Sequence, residues 1–291
     1  MDDDVTLPPH PPTTPTGEPA PDARSALATV DPHVVASEHL ANLRDIGGRA
    51  TADGGTVRRG VAFRSAELRA PTIADDPVLA GLGVRTVVDL RTAAERAALP
   101  DVLPAGARGI HADVLAVTQD APAADFAEML RRPDEASRVL AELDPAAQMR
   151  RTYVDLVVGD LGRAGYATLL RQIIDPPATP VLYHCTAGKD RTGWATTVLL
   201  LTAGVDEDGV REEYLGVNAA VDAMYAPLLR QFASVGGDPA LLVPLLQVHE
   251  EYLDAALDAM RTHFGTVDDY LRDGLRLTDE EVAALRATLV A

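Results

Sequence analysis

The sequence of 291 residues contains very little cysteine and lysine. Cys185 is its one cysteine, which excludes an internal disulfide bond and a metal cluster built from several cysteines. The seven histidines are scattered, without an HExxH or comparable pair, so the sequence predicts no metal site and no cofactor. Lys189 is the only lysine among 26 basic residues, and Trp194 is the only tryptophan. All three lie within residues 182–195, which directs attention to that stretch.

Long hydrophobic runs and a positive charge are also missing. No apolar run approaches the ~18 residues of a membrane-spanning helix, so we expect no integral membrane segment. The formal net charge of −18 argues against a nucleic-acid partner and against passive adhesion to anionic membranes. The N-terminus lacks the basic start and apolar stretch of a secretory signal. We therefore expect a cytoplasmic protein, or one secreted without a visible signal peptide.

The proline- and aspartate-rich N-terminus predicts a disordered tail over residues 1–30, followed by a single domain over 31–291. Helices are expected over residues 146–175, with a break near 159–165, and from about 206 to the C-terminus. β-Branched or alternating segments predict strands at residues 57–64, 84–90, 107–115 and 181–184. This order favours an α/β fold with a central, mainly parallel sheet flanked by helices.

Residues 184–193, with the sequence HCTAGKDRTG, place a thiol and an arginine between a predicted strand and a helix that opens at Thr192. In such a loop successive backbone N–H groups converge on an anion, and the helix N-terminus adds partial positive charge. Gly188 lets the backbone turn, and Arg191 can hold two phosphate oxygens at once. The same positive field favours the thiolate form of Cys185. The segment therefore predicts a phosphate cradle that contains a nucleophile.

This string resembles the signature loop HCxxGxxR[ST] of the cysteine-dependent protein tyrosine phosphatases. Its HCxxGKDRTG form resembles the bacterial, PtpB-like branch of that family. The resemblance extends from about residue 40 to the C-terminus and includes the segments NLRDIGG (42–48), VRRGVAFRSAEL (57–68), LGVRTVVDLRTAAE (82–95) and YLRDGLRLTDEEVAALRATL (270–289). It implies a phosphatase domain over residues 31–291 that hydrolyses phosphate monoesters through a phosphocysteine intermediate.

The resemblance also implies roles for individual residues. Cys185 is the expected nucleophile, and Arg191 is expected to bind phosphate and to stabilise the transition state. Thr192 is expected to donate a hydrogen bond to the cysteine sulfur, and His184 either orders the loop or is a satisfied core histidine. The expected phosphate-binding residues are Thr186, Ala187, Gly188, Lys189, Asp190 and Arg191.

The general acid stays open among three aspartates, because the sequence has no WPD tripeptide like the one that carries the acid in the eukaryotic enzymes. Asp190 lies inside the loop, at the position of a proposed acid in the myotubularin loop. Asp113 and Asp120 follow a predicted strand whose end could face the loop. For each of them the alternative is a solvated or salt-bridged carboxylate.

Three further features have two interpretations each. Asp89 and Arg91, at the end of a predicted parallel strand, either line the entrance of the site or form a structural pair. Lys189 either adds charge at the pocket rim, which the resembling branch links to phosphoinositide as well as phosphoprotein substrates, or is a solvated lysine. Residues 207–264 either form a helical lid over the pocket or belong to the core.

The function predicted is therefore that of a protein tyrosine phosphatase, with dual or lipid specificity as an extension. Its substrate would be a phosphotyrosine protein or a phosphoinositide. The alternatives are a phosphoinositide phosphatase and a phosphate-binding module without turnover. The last is disfavoured because Cys185, Arg191 and Thr192 are all present.

Overall fold

The computed structural model describes residues 30–115 and 144–291. The predicted tail lies outside these residues except for Val30, and Asp120 also lies outside them.

The described residues contain a five-stranded sheet with the strand order β1-β2-β5-β3-β4. Only the edge strand β1 runs antiparallel to its neighbour, and the other three pairs are parallel. The strands are β1 (Arg44–Asp45), β2 (Ala62–Ser65), β3 (Thr86–Asp89), β4 (Arg108–His111) and β5 (Val181–His184). This confirms the predicted α/β fold with a mainly parallel sheet, and the bounds of β5 are those predicted.

Helices cover both faces of this sheet. They are α1 (Pro77–Leu82), α2 (Ala93–Ala98), α3 (Pro145–Val158), α4 (Asp160–Ile174), α5 (Asp190–Thr202), α6 (Glu207–Gly216), α7 (Asn218–Ser234), α8 (Val243–Leu246), α9 (Glu250–His263) and α10 (Asp279–Leu289). Short 3₁₀ segments span Pro71–Asp75 and Pro239–Leu241, a three-residue α-helical turn spans Val267–Asp269, and a π-helical turn spans Tyr270–Gly274. No helix among the described residues is long and apolar enough to cross a membrane.

The sheet separates two hydrophobic clusters because successive strand residues point to opposite faces. In β5, Val181 and Tyr183 join the larger cluster, whereas Leu182 joins the smaller one. Helix α5 lies on the side of the larger cluster and buries residues around nearly its whole circumference, including Trp194 and Leu199. A helix with so little exposed surface is fixed by packing, and it anchors the loop that precedes it.

Two helix boundaries differ from the prediction. Helix α5 begins at Asp190 instead of Thr192, because Lys189 already has helical backbone angles. The predicted break near 159–165 occurs at Gly159 alone, which has extended angles between α3 and α4. Gly165 lies inside α4, where a Cβ would come within 2.5 Å of a methyl group of Val114. It allows helix and strand-end to approach closely and does not break the helix.

The register brings three strand ends to one edge. His184 of β5 pairs with Ser65 of β2 on one side and with Asp89 of β3 on the other. The loops that follow these residues therefore leave the sheet side by side. Ligands bind at this carboxyl edge in open α/β sheets, so a functional site is expected there.

Candidate active site

The loop after β5 is held by the segments on either side of it. Asn42 donates from Nδ2 to the carbonyl oxygens of Ala187 and Gly188, at 3.1 Å each. Its φ of 52° lies in the left-handed region, which asparagine tolerates better than most residues. Asn42 thus connects the loop to residues 42–48, one of the segments that carry the family resemblance.

Strand β2 and the residue pair after it hold the loop from below. Arg64 donates to the carbonyl oxygen of Gly188 at 2.6 Å, and the backbone N–H of Glu67 donates to that of Thr186 at 3.1 Å. Arg64 is fully buried and is held in turn by both carboxylate oxygens of Glu213 in α6, at 2.9 Å each. A charge-assisted pair of this kind fixes the position of the guanidinium group.

These contacts orient the amide groups of the loop. In a trans peptide the carbonyl of one residue and the N–H of the next point in opposite directions. Because the carbonyls of residues 186–188 point outward to protein donors, the N–H groups of residues 187–189 point to the opposite side. Gly188 has φ 67°, and a Cβ there would lie 2.2 Å from the carbonyl oxygen of Ser65. Glycine is therefore required at this position, and the loop presents converging donors to an anion.

The reactive groups predicted from the sequence lie around this ring of amides. Cys185, directly after β5, is 2% exposed, and Arg191 occupies the first turn of α5. Burial alone would lower the pKa of the Arg191 guanidinium, but hydrogen bonds to Glu95 and the nearby Cys185 and Asp190 raise it. Arg191 is therefore permanently cationic beside the thiol, as a phosphate site requires.

Glu95 of α2 is the partner of Arg191 that sequence reasoning missed. The two form a bidentate pair, with Nη1 to Oε2 at 2.6 Å and Nη2 to Oε1 at 2.8 Å. Thr186 donates its hydroxyl to Oε1 of Glu95 at 2.7 Å. Burial would raise the pKa of Glu95, but the bonds from Arg191 and Thr186 hold it far below its usual range. Glu95 therefore stays ionised and aims the guanidinium group.

Glu95 has this orientation because it also caps its own helix. Its carboxylate accepts from the backbone N–H of Thr92 at 2.9 Å, while the Thr92 hydroxyl accepts from the N–H of Glu95. Thr92 and Glu95 therefore form a capping box at the start of α2. A threonine followed three residues later by a glutamate indicates only local helix capping, and the link to Arg191 depends on the tertiary fold.

Glu95→Gln is expected to lower kcat/KM about tenfold and to destabilise the protein at neutral pH, because a partly buried, charged hydrogen-bond partner is lost. The folded-state pKa of Glu95 is depressed, so its stabilisation is present above the ordinary carboxyl pKa and disappears as pH falls toward the folded value. The difference in stability between the variant and the wild type should therefore shrink in acid. Thermal unfolding at several pH values and steady-state kinetics measure both effects.

Glu281→Gln is the matched control, because Glu281 also completes a capping box and also pairs with an arginine, Arg171, away from the loop. It is expected to change stability but not kcat/KM. Equal kinetic losses in both variants would contradict the positioning role of Glu95.

Beneath the loop lies a buried network of charged residues. His184 lies 3.1 Å from the carbonyl oxygen of Cys185 through Nδ1 and 2.9 Å from Asp101 Oδ2 through Nε2. His184 is therefore a core histidine with hydrogen-bond partners for both ring nitrogens, and one of these partners belongs to the loop. The two predicted interpretations of His184 both apply. The Arg91 guanidinium bonds both oxygens of Asp89 at 3.0 Å and Asp101 at 2.7 Å.

This geometry makes Asp89 and Arg91 a structural pair and not part of the entrance, since both are almost fully buried. Burial would raise the pKa of Asp89, but the hydrogen bond from Arg91 and the neighbouring His184 lower it overall. Asp89, Asp101 and His184 have ligand atoms within 4.8 Å of one another, a spacing that could hold a metal ion. The Arg91 guanidinium group already donates hydrogen bonds to the carboxylates of Asp89 and Asp101. The cluster therefore fits an arginine side chain better than a metal ion.

Lys189 is not a solvated lysine, because it is only 4% exposed. Its Nζ lies 2.9 Å from Oδ1 and 2.8 Å from Oδ2 of Asp190. Oδ1 of Asp190 also accepts from the hydroxyl of Tyr153 at 2.8 Å. The predicted solvated position is therefore wrong, and the charge of Lys189 is paired with that of its neighbour Asp190.

Asp113 and Thr192 occupy positions that differ in how well they are bonded. The Asp113 carboxylate accepts from the backbone N–H groups of Ala93 at 3.2 Å and Leu115 at 3.0 Å, as expected for a structural aspartate. The Thr192 hydroxyl is buried and has no hydrogen-bond partner among the described residues. Its predicted bond to the Cys185 sulfur is thus not made in this structure.

Comparisons with known proteins agree with this geometry. A family model described as Tyrosine phosphatase family matches residues 35–291. The chain belongs to this tyrosine phosphatase family. It is 34% identical over 271 residues to a putative tyrosine-protein phosphatase of Cupriavidus necator, covering 93% of each chain.

Two further relatives match a smaller part of the chain. The chain is 30% identical over 256 residues to the triple specificity protein phosphatase PtpB of Mycobacterium tuberculosis, covering 80% of this chain and 90% of the relative. It is 31% identical over 153 residues to a tyrosine-protein phosphatase of Nostoc commune, covering 52% and 46%. The predicted family, its α/β fold and its class of enzyme, a protein tyrosine phosphatase, are confirmed.

Proposed function

We propose that the protein hydrolyses phosphotyrosine through a phosphocysteine intermediate. The observation that carries the proposal is the ring of amide groups around Cys185, closed by an arginine that Glu95 holds in place. Three phosphoryl oxygens can be bonded at once by such donors. The charge that develops on them in the transition state then meets preorganised dipoles and a fixed cation.

The reaction proceeds in two steps, phosphoryl transfer to Cys185 and hydrolysis of the phosphocysteine. The Cys185 thiolate forms a bond to phosphorus while the bond from phosphorus to the phenolic oxygen breaks, and an acid gives that oxygen its proton. In the second step water attacks phosphorus, the sulfur leaves as thiolate, and the same group, now a base, accepts the water proton. Arg191 and the loop amides bind the phosphoryl oxygens in both steps.

Phosphotyrosine is favoured over a phosphoinositide by the position of Lys189. A second phosphate on an inositol ring would need a free cation near the loop, and the ammonium of Lys189 is buried and bonded to Asp190. All three relatives are named tyrosine or triple specificity phosphatases. Phosphate release from a panel of phosphotyrosine, phosphoserine and phosphothreonine peptides and of phosphoinositides is the test. Faster turnover of phosphoinositides than of phosphotyrosine peptides would overturn the preference.

Asp190 is the proposed acid, because its carboxylate lies in the loop while that of Asp113 is bonded to backbone amides. Asp190→Asn is expected to lower kcat for phenyl phosphate by about 10²-fold, the lower end of general-acid effects. The loss should be small for p-nitrophenyl phosphate, whose leaving group hardly needs a proton. The basic limb of the pH profile of kcat should flatten. Asp113→Asn is the matched control, and an equal loss for both esters would remove Asp190 from this role.

Of the predicted lid region 207–264, helices α6 and α9 belong to the main core, and only α7 and the segment after it are proposed to form a lid over the loop. Met224 of α7 packs in a small cluster with Ala66 and Ala187 of the loop region. Phe232, with Leu242 and Leu246, forms a cluster separate from the main core, which α7 joins through Val221 near its start. The part of α7 beyond Val221 can therefore open locally at a low free-energy cost.

Met224→Ala is expected to increase the rate at which hydrogen peroxide inactivates the enzyme several-fold, because the lid is loosened over an oxidisable thiolate. Met260→Ala is the control, since Met260 is also buried, at 4% exposed against 8% for Met224, but belongs to the main core. Loss of activity with time under fixed peroxide measures the effect. Identical inactivation rates in the wild type and in folded Met224→Ala would remove the lid.

A further inference from the structure

Tyr153 of α3 places a hydroxyl group on the aspartate of the loop. Its hydroxyl donates to Oδ1 of Asp190 at 2.8 Å, and the hydroxyl of Tyr214 in α6 donates to that of Tyr153 at 2.6 Å. Helices α3 and α6, which are distant in sequence, thus each contribute a hydroxyl group to one hydrogen-bonded chain. The chain ends at the Asp190 carboxylate. The resemblance of the sequence to known phosphatases assigned no role to either tyrosine.

We propose that Tyr153 is a positioning residue for the general acid, holding Oδ1 of Asp190 so that Oδ2 is the oxygen that carries and delivers the proton. The inference rests on the proposed function, in which Asp190 protonates the leaving oxygen.

The chemistry of the two oxygens supports this division. Oδ1 accepts the hydroxyl bond of Tyr153 and also faces Lys189 Nζ, whereas Oδ2 contacts only Lys189 among the hydrogen bonds and ion pairs of the described residues. A carboxylic acid bears its proton on the oxygen that receives fewer donated bonds. A carboxylate fixed at one oxygen also cannot rotate freely, which keeps the other oxygen in one direction.

Tyr153 is suited to the task because it is rigid and stays protonated. Its ring packs edge-on against Tyr214, with centroids 6.1 Å apart, and lies tilted against Tyr252 of α9 at 5.7 Å. Burial first, and then the charge of Asp190, raise the pKa of Tyr153 well above its ordinary value. The hydroxyl is therefore a donor throughout the working pH range and does not compete for the catalytic proton.

Other buried tyrosines show what a structural hydroxyl does in this fold. Tyr252 donates to the carbonyl oxygen of Pro244, and Tyr183 shares a bond with the hydroxyl of Thr196. These partners are neutral groups that do no chemistry. Tyr153, by contrast, directs its hydroxyl to an ionisable side chain inside the loop, which points to a role in the reaction.

The experiment is a double-mutant cycle between Tyr153→Phe and Asp190→Asn, with phenyl phosphate and p-nitrophenyl phosphate as substrates. Tyr153→Phe is expected to lower kcat for phenyl phosphate about tenfold, as for loss of a hydrogen bond to a charged group, with little change for p-nitrophenyl phosphate. In the Asp190→Asn background, the same substitution is expected to change neither rate. Tyr183→Phe removes a buried hydroxyl elsewhere and should leave both rates unchanged.

Tyr214→Phe provides an independent reading if Tyr153→Phe folds poorly. It removes only the donor to Tyr153, so the same dependence on the leaving group is expected at a smaller size. The inference is overturned if Tyr153→Phe lowers kcat equally for both esters, leaves phenyl phosphate turnover unchanged, or acts fully in the Asp190→Asn background. Wild-type turnover of p-nitrophenyl phosphate that requires Cys185 upholds the proposed function in each of these cases, so the two failures are distinct.

Discussion

Cys185→Ser is expected to abolish turnover of p-nitrophenyl phosphate, lowering kcat by at least about 10⁴-fold, a small part of the acceleration that enzymes reach. The variant replaces the thiolate with a hydroxyl that stays protonated near neutral pH, and an alcohol is a poor nucleophile without a base. The neighbouring His184 cannot serve as that base. His184 faces acceptor oxygens with both ring nitrogens, Cys185 O and Asp101 Oδ2, so neither nitrogen is free to take the serine proton.

Phosphate affinity should survive the same substitution. The loop amides are oriented by Asn42, Arg64 and Glu67, and none of these contacts involves the sulfur. Inorganic phosphate is therefore expected to raise the melting temperature of Cys185→Ser about as much as that of the wild type. Substantial residual kcat in the serine variant would contradict covalent catalysis. Lost turnover together with lost phosphate stabilisation would instead indicate a damaged loop.

The reacting core of this site could be predicted because it is local in sequence. A strand, a short loop with Gly188 and a helix with Arg191 in its first turn come from consecutive residues, so their spacing alone places the thiol, the arginine and the loop amides together. The parallel sheet was predictable for a similar reason, since alternating strands and helices leave few other arrangements.

The residues that hold this core could not be predicted, because each reaches the loop from a distant element. Asn42 precedes β2, Glu95 lies in α2, and Tyr153 lies in α3. Their positions in the sequence have no fixed spacing from Cys185. For Glu95, helix capping alone already accounts for a glutamate at that position. The burial of Lys189 could not be predicted for the same reason. A lysine is normally exposed, and only the ion pair with Asp190 offsets the free-energy cost of burying its charge.

Arg191→Lys is expected to lower kcat by about 10³-fold, at the upper end of the loss seen when one transition-state donor is removed. An ammonium group keeps the charge but not the planar fork, so it cannot bond Glu95 and two phosphoryl oxygens in one plane. The partly buried Glu95 carboxylate would also lose one of its two bonds to the guanidinium group. The loss should therefore appear mainly in kcat, where transition-state geometry matters, and less in KM.

Arg171→Lys is the matched control for this substitution. Arg171 forms the corresponding pair with the capping-box residue Glu281, through Nε at 2.8 Å and Nη2 at 3.3 Å, on α4 and α10. It should lose a similar amount of stability, measured as the melting temperature, without any change in kcat for p-nitrophenyl phosphate. If the two variants showed equal kinetic losses, the effect of Arg191 would be one of folding. If Arg191→Lys retained most of its kcat, charge alone would suffice at this site, and the fork that Glu95 aims would have no catalytic purpose.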